Sequence, residues 1–132
     1  MNARILIIED NPANMELMAY LLEARGHQLS FAADGEAGLA VAFAEPPDLI
    51  VCDVHLPRLD GDAVVMALRQ HPALCDVPVV AVTALAMVGD REKLLAAGFD
   101  GYISKPIEPE TFSQDIEGFL SRKHGTPQAT AR

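Results

Sequence analysis

Glu9, Asp10, Asp53, Thr83 and Lys105 stand far apart in the chain, yet each closes or follows a short apolar run. Taken singly, an acid after such a run is ordinarily a helix cap or a solvated loop residue, because Asp is common in both places. The set as a whole means something different. Three carboxylates gathered within ~4 Å repel by ~4 kcal/mol per pair at an effective dielectric near ~20, so a cation has to offset them. Oxygen ligands without a partnering His or Cys suit a hard ion, and two or three carboxylates plus waters suit octahedral Mg²⁺ better than Ca²⁺. Lys105 supplies a second, fixed positive charge. Both cations lower the pKa of an adjacent aspartate, which makes Asp53 a poor general base and a better nucleophile. Carboxylates accept phosphoryl groups as aspartyl phosphates, a reaction that needs a metal and donors to the remaining phosphoryl oxygens. The Thr83 hydroxyl and the Lys105 ammonium are the candidate donors.

These side chains meet only if the apolar runs lie side by side. Four or five short runs rich in Ile and Val alternate with segments of helical period, the signature of a parallel sheet covered on both faces. Strands are predicted over 4–8, 27–33, 49–53, 79–83 and 102–104. The first helix opens at Pro12, shows Met15, Met18, Leu21 and Leu22 on one face, and ends at Gly26. Further helices are predicted over 35–44, stopped by Pro46-Pro47, then over 62–70 and about 86–97. A last one is marked by Phe112, Ile116, Phe119 and Leu120. Gly89 falls inside the fourth predicted helix, where it costs up to ~1 kcal/mol against Ala and marks a loosely held first turn. The result is a doubly wound (βα)5 domain over residues 1–123, followed by a polar tail over 124–132. Open sheets of this kind bind ligands at the carboxyl ends of their strands, which is where the five polar residues fall.

Composition narrows the class. At 132 residues the chain has room for one core, and with 50% hydrophobic residues it has the means to pack one. Nineteen acids against ten bases leave a net charge of −9, which opposes attraction to nucleic acid or anionic lipid. No apolar stretch approaches the ~20 residues of a membrane span, and the run 5–8 stops at Glu9 and Asp10, so neither anchor nor secretory signal is expected. Cys52 and Cys75 lack metal-ligand spacing and suit a reducing, cytoplasmic setting.

The order Glu9-Asp10, Asp53, Thr83-Ala84 and Lys105-Pro106, with Pro57 and Gly61 after the candidate acceptor, resembles the receiver domain of two-component response regulators. The resemblance covers about residues 4–123 and implies the CheY-like fold, with strand order 2-1-3-4-5, an order shared with flavodoxin. It implies phosphorylation of Asp53 by a histidine kinase or histidine phosphotransfer protein. It implies Mg²⁺ held directly by Asp10, through water by Glu9, and by Asp53 and the His55 backbone carbonyl. Lys105 would contact the phosphoryl group, placed by a cis bond to Pro106, and Thr83 would turn inward to a phosphoryl oxygen. Tyr102 would be an aromatic switch; its competing reading is an amphipathic edge-strand residue. The His55 side chain stands where relatives vary. His27, His71 and His124 are scattered, and nucleotide motifs of a kinase are missing, so the chain reads as the acceptor. Two mild departures are Glu9 where Asp is also common, and Leu56 before Pro57 where Met is frequent.

The implied output is a downstream protein bound or released, from a monomer or weak dimer, with no enzyme activity beyond self-phosphorylation and slow autodephosphorylation. Met1 just ahead of the first strand favours a free-standing regulator, although a receiver cut from a hybrid histidine kinase has the same look. Other classes remain. A flavodoxin-like FMN carrier needs a phosphate cradle after the first strand, and Glu9-Asp10-Asn11-Pro12 would repel a phosphate. A haloacid-type phosphatase carries a second Asp two residues after its nucleophile, and His55 occupies that position. A receiver-shaped binding module that is never phosphorylated is the third.

Overall fold

Strand β1 (Arg4–Ile8) carries four consecutive buried residues, and β3 (Leu49–Asp53) and β4 (Val79–Thr83) are buried throughout. Unbroken burial of this kind belongs to parallel strands with both faces covered. The computed structural model describes residues 2–57, 59–84 and 89–120. In it the five strands pair in parallel in the order β2-β1-β3-β4-β5, with β2 (Gln28–Ala32) and β5 (Gly101–Ser104) at the edges. The strand order implied by the receiver resemblance is the observed one. Strand alternation splits the core in two. Ile5, Ile7, Leu49, Val51, Val80 and Val82 pack with Met18 and Leu22 of α1 (Pro12–Glu23) and with Phe112 and Ile116 of α5 (Phe112–Leu120). Leu6, Ile8, Ile50 and Cys52 face the other way, against α2 (Gly35–Ala44), α3 (Gly61–Gln70) and α4 (Asp90–Ala97). Among the described residues no helix is long and apolar enough to cross a membrane.

Local chemistry sets the helix starts. Asn11, Asp34 and Asp60 each accept a bond from the backbone N–H three residues on, capping α1, α2 and α3 in turn. Helix α4 differs. Gly89 is not inside it, as the periodicity predicted, but at its N-cap, in a left-handed conformation (φ +94°) without a side-chain cap bond. Left-handed backbone favours a residue without Cβ, and helical pattern alone does not register it. The expected first turn, 86–88, and the expected tail, 124–132, lie outside the described residues. The other predicted bounds differ from the observed ones by a residue or two, as element ends commonly do.

The far end of α4 is held firmly. Gly98 (φ +119°) closes the helix, and Arg69 from α3 reaches across to it. Its guanidinium donates to the Gly98 carbonyl (2.9 and 3.1 Å), the Val77 carbonyl (2.6 Å), the Cys75 carbonyl (3.3 Å) and Asp100 Oδ2 (2.7 Å). The same Asp100 oxygen accepts from the Val79 N–H at 2.8 Å, where β4 begins. Burial lowers the Arg69 pKa from the usual arginine range, against the raising effect of the facing Asp100 charge.

A second polar clamp ties the connection between α1 and β2 to α5 and to the residue ahead of β1. The buried His27 ring accepts the Ala3 N–H at Nδ1 (3.1 Å), so Nε2 carries the hydrogen and donates to Glu117 Oε2 (2.9 Å). Arg25 Nε reaches the same oxygen at 3.1 Å. The Arg25 bond, opposed by partial burial and aided by His27, holds the Glu117 carboxyl down to about 2. A carboxyl depressed on folding stabilises the fold above its ordinary 4.5, and that contribution is lost as pH falls through about 2. Glu117→Ala is expected to cost about 1–3 kcal/mol at neutral pH, because it orphans a buried His27 donor. Urea titrations should show the gap narrowing between pH 4.5 and about 2. A gap that stays constant on acidification would rule this coupling out.

Candidate functional site

Register aligns the strand ends that carry the chemistry. Ile8 pairs with Cys52, so Glu9 and Asp10 leave β1 beside Asp53, the last residue of β3. Asp53 pairs with Val82 and Thr83 with Ser104, which puts Thr83 and Lys105 at the neighbouring strand ends. The backbone supports this arrangement, since the Lys105 N–H donates to the Thr83 carbonyl at 2.8 Å and the Lys105-Pro106 bond is cis.

Carboxylate oxygens of Glu9, Asp10 and Asp53 all lie within 4.8 Å of one another. Glu9 and Asp53 are buried, whereas Asp10 is exposed. Lys105 Nζ stands 3.1 Å from Asp53 Oδ2 and 3.5 Å from Glu9 Oε1. Asp53 Oδ1 accepts the His55 N–H at 3.0 Å, and Glu9 Oε2 accepts the Asn11 N–H at 3.1 Å. Glu9 Oε1 has the Lys105 charge nearby but accepts no hydrogen bond, and it is the only such buried side-chain atom among the described residues.

Glu9 therefore carries an electrostatic burden. Burial first, then its contact with Asp53 and the Asp53 charge, push its carboxyl up to about 7 against the lowering effect of the Asn11 N–H and Lys105. Lys105 shows the converse. Burial works to lower it, but the bond to Asp53 and the charges of Asp53 and Glu9 outweigh that and raise it above the usual lysine range. One ammonium faces three acids, which leaves the cluster with an excess of negative charge when all are ionised. The set fits a small hard cation: every donor is oxygen, the spacing is compact, and a buried oxygen has spare acceptor capacity.

The structure brings Glu9, Asp10, Asp53 and Lys105 together. Thr83 is buried at the adjacent strand end. His55 meets Asp53 through its backbone N–H, a contact the sequence reading did not include; the signal was the two-residue spacing of an Asx-type turn. Tyr102 lies outside the acid cluster. It is 39% exposed on the edge strand and lines a groove of about 690 Å³ with Ile103, Thr111 and Phe119. The depth of Glu9 was also not foreseen, because an acid next to a second acid gives no pattern that separates the buried one from the exposed one.

Known proteins resemble this chain in sequence and fold. A profile described as response regulator receiver domain matches residues 5–117. The chain is 39% identical to the polar-differentiation response regulator DivK of Brucella ovis, over 91% of this chain and 98% of that protein. It is 38% identical to RpaA of Synechocystis, a DNA-binding dual master transcriptional regulator, over 96% of this chain but only 52% of RpaA; it thus spans about half of that relative. Among solved structures, the receiver domain of a Pseudomonas aeruginosa sensor histidine kinase, with magnesium coordinated in its active-site cleft, superposes with a TM-score of 0.83 at 31% identity. That match covers 92% of this chain and 99% of the other. The Vibrio cholerae chemotaxis regulator CheY4 gives 0.86 at 26% identity, covering 90% and 99%. Sequence and architecture agree, and the chain belongs to the response regulator receiver domains of two-component signalling.

Proposed function

We propose that this receiver is a phosphoacceptor: Asp53 takes a phosphoryl group from the phosphohistidine of a histidine kinase or histidine phosphotransfer protein, in a Mg²⁺-dependent reaction. The observation that supports it best is the buried Glu9-Asp53-Lys105 cluster with its one unbonded carboxylate oxygen. Asp10, Asp53 and Glu9 would hold the ion, with the His55 carbonyl as a further ligand. When bound, Mg²⁺ supplies charge neutralisation between the acceptor carboxylate and the incoming phosphoryl oxygens. The chain's own groups do the rest. The Asp53 carboxylate attacks phosphorus, an O–P bond forms, the P–N bond to the donor imidazole breaks, and the electron pair leaves with that imidazole. Lys105 is already 3.1 Å from the acceptor and can pair with the transferred group, and the Thr83 hydroxyl is the second donor at the rim.

The product adds up to about two negative charges at Asp53. Lys105 precedes Pro106 and follows β5, so a shift of the ammonium is felt on the strand that bears Tyr102. We read the groove between β5 and α5 as the surface whose shape changes, with a downstream protein as the reader. Catalysis would end at self-phosphorylation and slow loss of the phosphoryl group. Two free cysteines fit a reducing cytoplasm. A second reading, a receiver belonging to a hybrid histidine kinase, is supported by the likeness to the Pseudomonas domain.

Incubation with acetyl phosphate and Mg²⁺, followed by intact mass, tests the reading. One metal-dependent phosphoryl adduct is expected. No adduct, together with no spectroscopic response to beryllofluoride, would replace the phosphoacceptor by a constitutive binding module.

A further inference from the structure

The loop that leaves Asp53 is held by a residue from a different βα unit. A Cβ built on Gly35, at the start of α2, falls 2.1 Å from the Leu59 carbonyl oxygen and 2.8 Å from Leu59 Cβ. Contacts under 3.0 Å are not tolerated, so any side chain at 35 forces backbone to move by about an ångström. Neither side can yield easily. Asp34 caps α2 through the Ala37 N–H at 2.8 Å, and the Gly38 N–H returns to the Asp34 carbonyl at 3.0 Å, which fixes the helix start. Leu59 is packed against the core, and its N–H donates to the Pro57 carbonyl at 2.7 Å. Leu56 is buried below, and the arch is closed by the Gly61 N–H bonding the Val54 carbonyl at 2.9 Å. A push at Leu59 therefore travels back through Pro57 and Leu56 to His55, whose N–H holds Asp53 Oδ1.

Gly35 has no left-handed φ, so its lack of a side chain is not explained by backbone conformation. Ala would be the better helix former there. Space is what requires glycine. We propose that Gly35 is a positioning residue for the acceptor site: its bare Cα forms a notch that seats the Leu59 carbonyl and so fixes the arch whose first turn orients Asp53 and the His55 backbone. This rests on the reading of Asp53 as the acceptor for its consequence in phosphorylation, but the seating itself is a property of the metal-free chain.

The test compares Gly35→Ala with Gly38→Ala. A Cβ at Gly38 meets side-chain atoms only, Ile8 Cδ1 at 2.4 Å and Cγ1 at 2.9 Å, and no backbone of the arch. Three quantities are measured on the full chain: hydrogen exchange of the His55 amide without metal, Mg²⁺ affinity by titration, and labelling by acetyl phosphate. Gly35→Ala is expected to speed His55 exchange and to weaken Mg²⁺ by about tenfold each, the range typical when support behind metal ligands is lost. Gly38→Ala should change overall stability without singling out His55, although it presses on Ile8 next to Glu9. If the two variants behave alike in His55 exchange, the notch is ordinary packing and the proposal fails. Should Gly35→Ala not fold, Gly35→Ala with Leu59→Gly decides: glycine at 59 lets the carbonyl swing away from the new methyl so that the chain can fold, with the same two effects expected and their absence equally fatal. Failure of the unsubstituted protein to take a phosphoryl group would overturn the phosphoacceptor reading alone, because His55 exchange needs neither metal nor donor.

Discussion

Asp53→Ala is expected to abolish phosphoryl labelling completely while leaving a folded protein. The substitution removes the only carboxylate that is held by Lys105 at 3.1 Å on one oxygen and by the His55 N–H at 3.0 Å on the other. No neighbour can replace it. Glu9 is buried on the first strand, with Oε2 committed to the Asn11 N–H, and Asp10 is turned to solvent. The fold should survive because Asp53 is both a partner of Lys105 and a rival of Glu9. Ionised acids this close repel, so deleting one relieves that repulsion even as it loosens Lys105, which retains Glu9. Intact mass should therefore show no adduct from acetyl phosphate, and a thermal melt without metal should show a midpoint equal to or above that of the parent. An adduct that persists at full yield would move the acceptor to another residue and end the assignment of Asp53.

Mg²⁺ binding is expected to weaken by about tenfold for each pH unit below about 7, and to release close to one proton per ion there. Glu9 is the cause. Its folded pKa lies near 7 rather than 4.5, chiefly through burial and then through Asp53, so the folded chain holds a proton more tightly than the unfolded chain does. The resulting stabilisation is full below pH 4.5 and is lost as pH rises through about 7. Its size is at most about 3 kcal/mol, at 1.36 kcal/mol per unit. Without metal, the protein should thus lose stability between pH 5 and 8, and Glu9→Gln should remove that slope. With metal the trend reverses, because the ion competes for the ionised carboxylate. Melting curves with and without Mg²⁺ at the two pH values decide the matter: an equal shift at both would mean Glu9 is already ionised throughout and takes no part.

The sheet was legible because the two central strands, 49–53 and 79–83, are apolar without interruption and end on a polar residue. That pattern has one reading in a βα alternation, and the strand-end rule then delivers the site. Residues that act through tertiary contact left no such trace. Arg69 and Glu117 carried no signal in the sequence, since nothing local tells a solvated arginine from one that binds three carbonyls. Gly35 read as an ordinary helix start, because the carbonyl it accommodates comes from 24 positions further on. The fourth helix was misjudged for a related reason: Gly89 was weighed as a weak interior residue, whereas its left-handed backbone places it at the N-cap, ahead of the first turn.

The Arg69 bracket also says how the molecule should come apart. One guanidinium ties the carbonyls of Cys75, Val77 and Gly98 and the carboxylate of Asp100, so the connections that lead into β4 and into β5 cannot open one at a time. Local unfolding there has to be a single cooperative event that takes the end of α3 and the two connections with it. The start of α4, which has no side-chain cap, lies outside that unit and can fray on its own. The two ends of one eight-residue helix thus belong to different levels of the protein's hierarchy of openings.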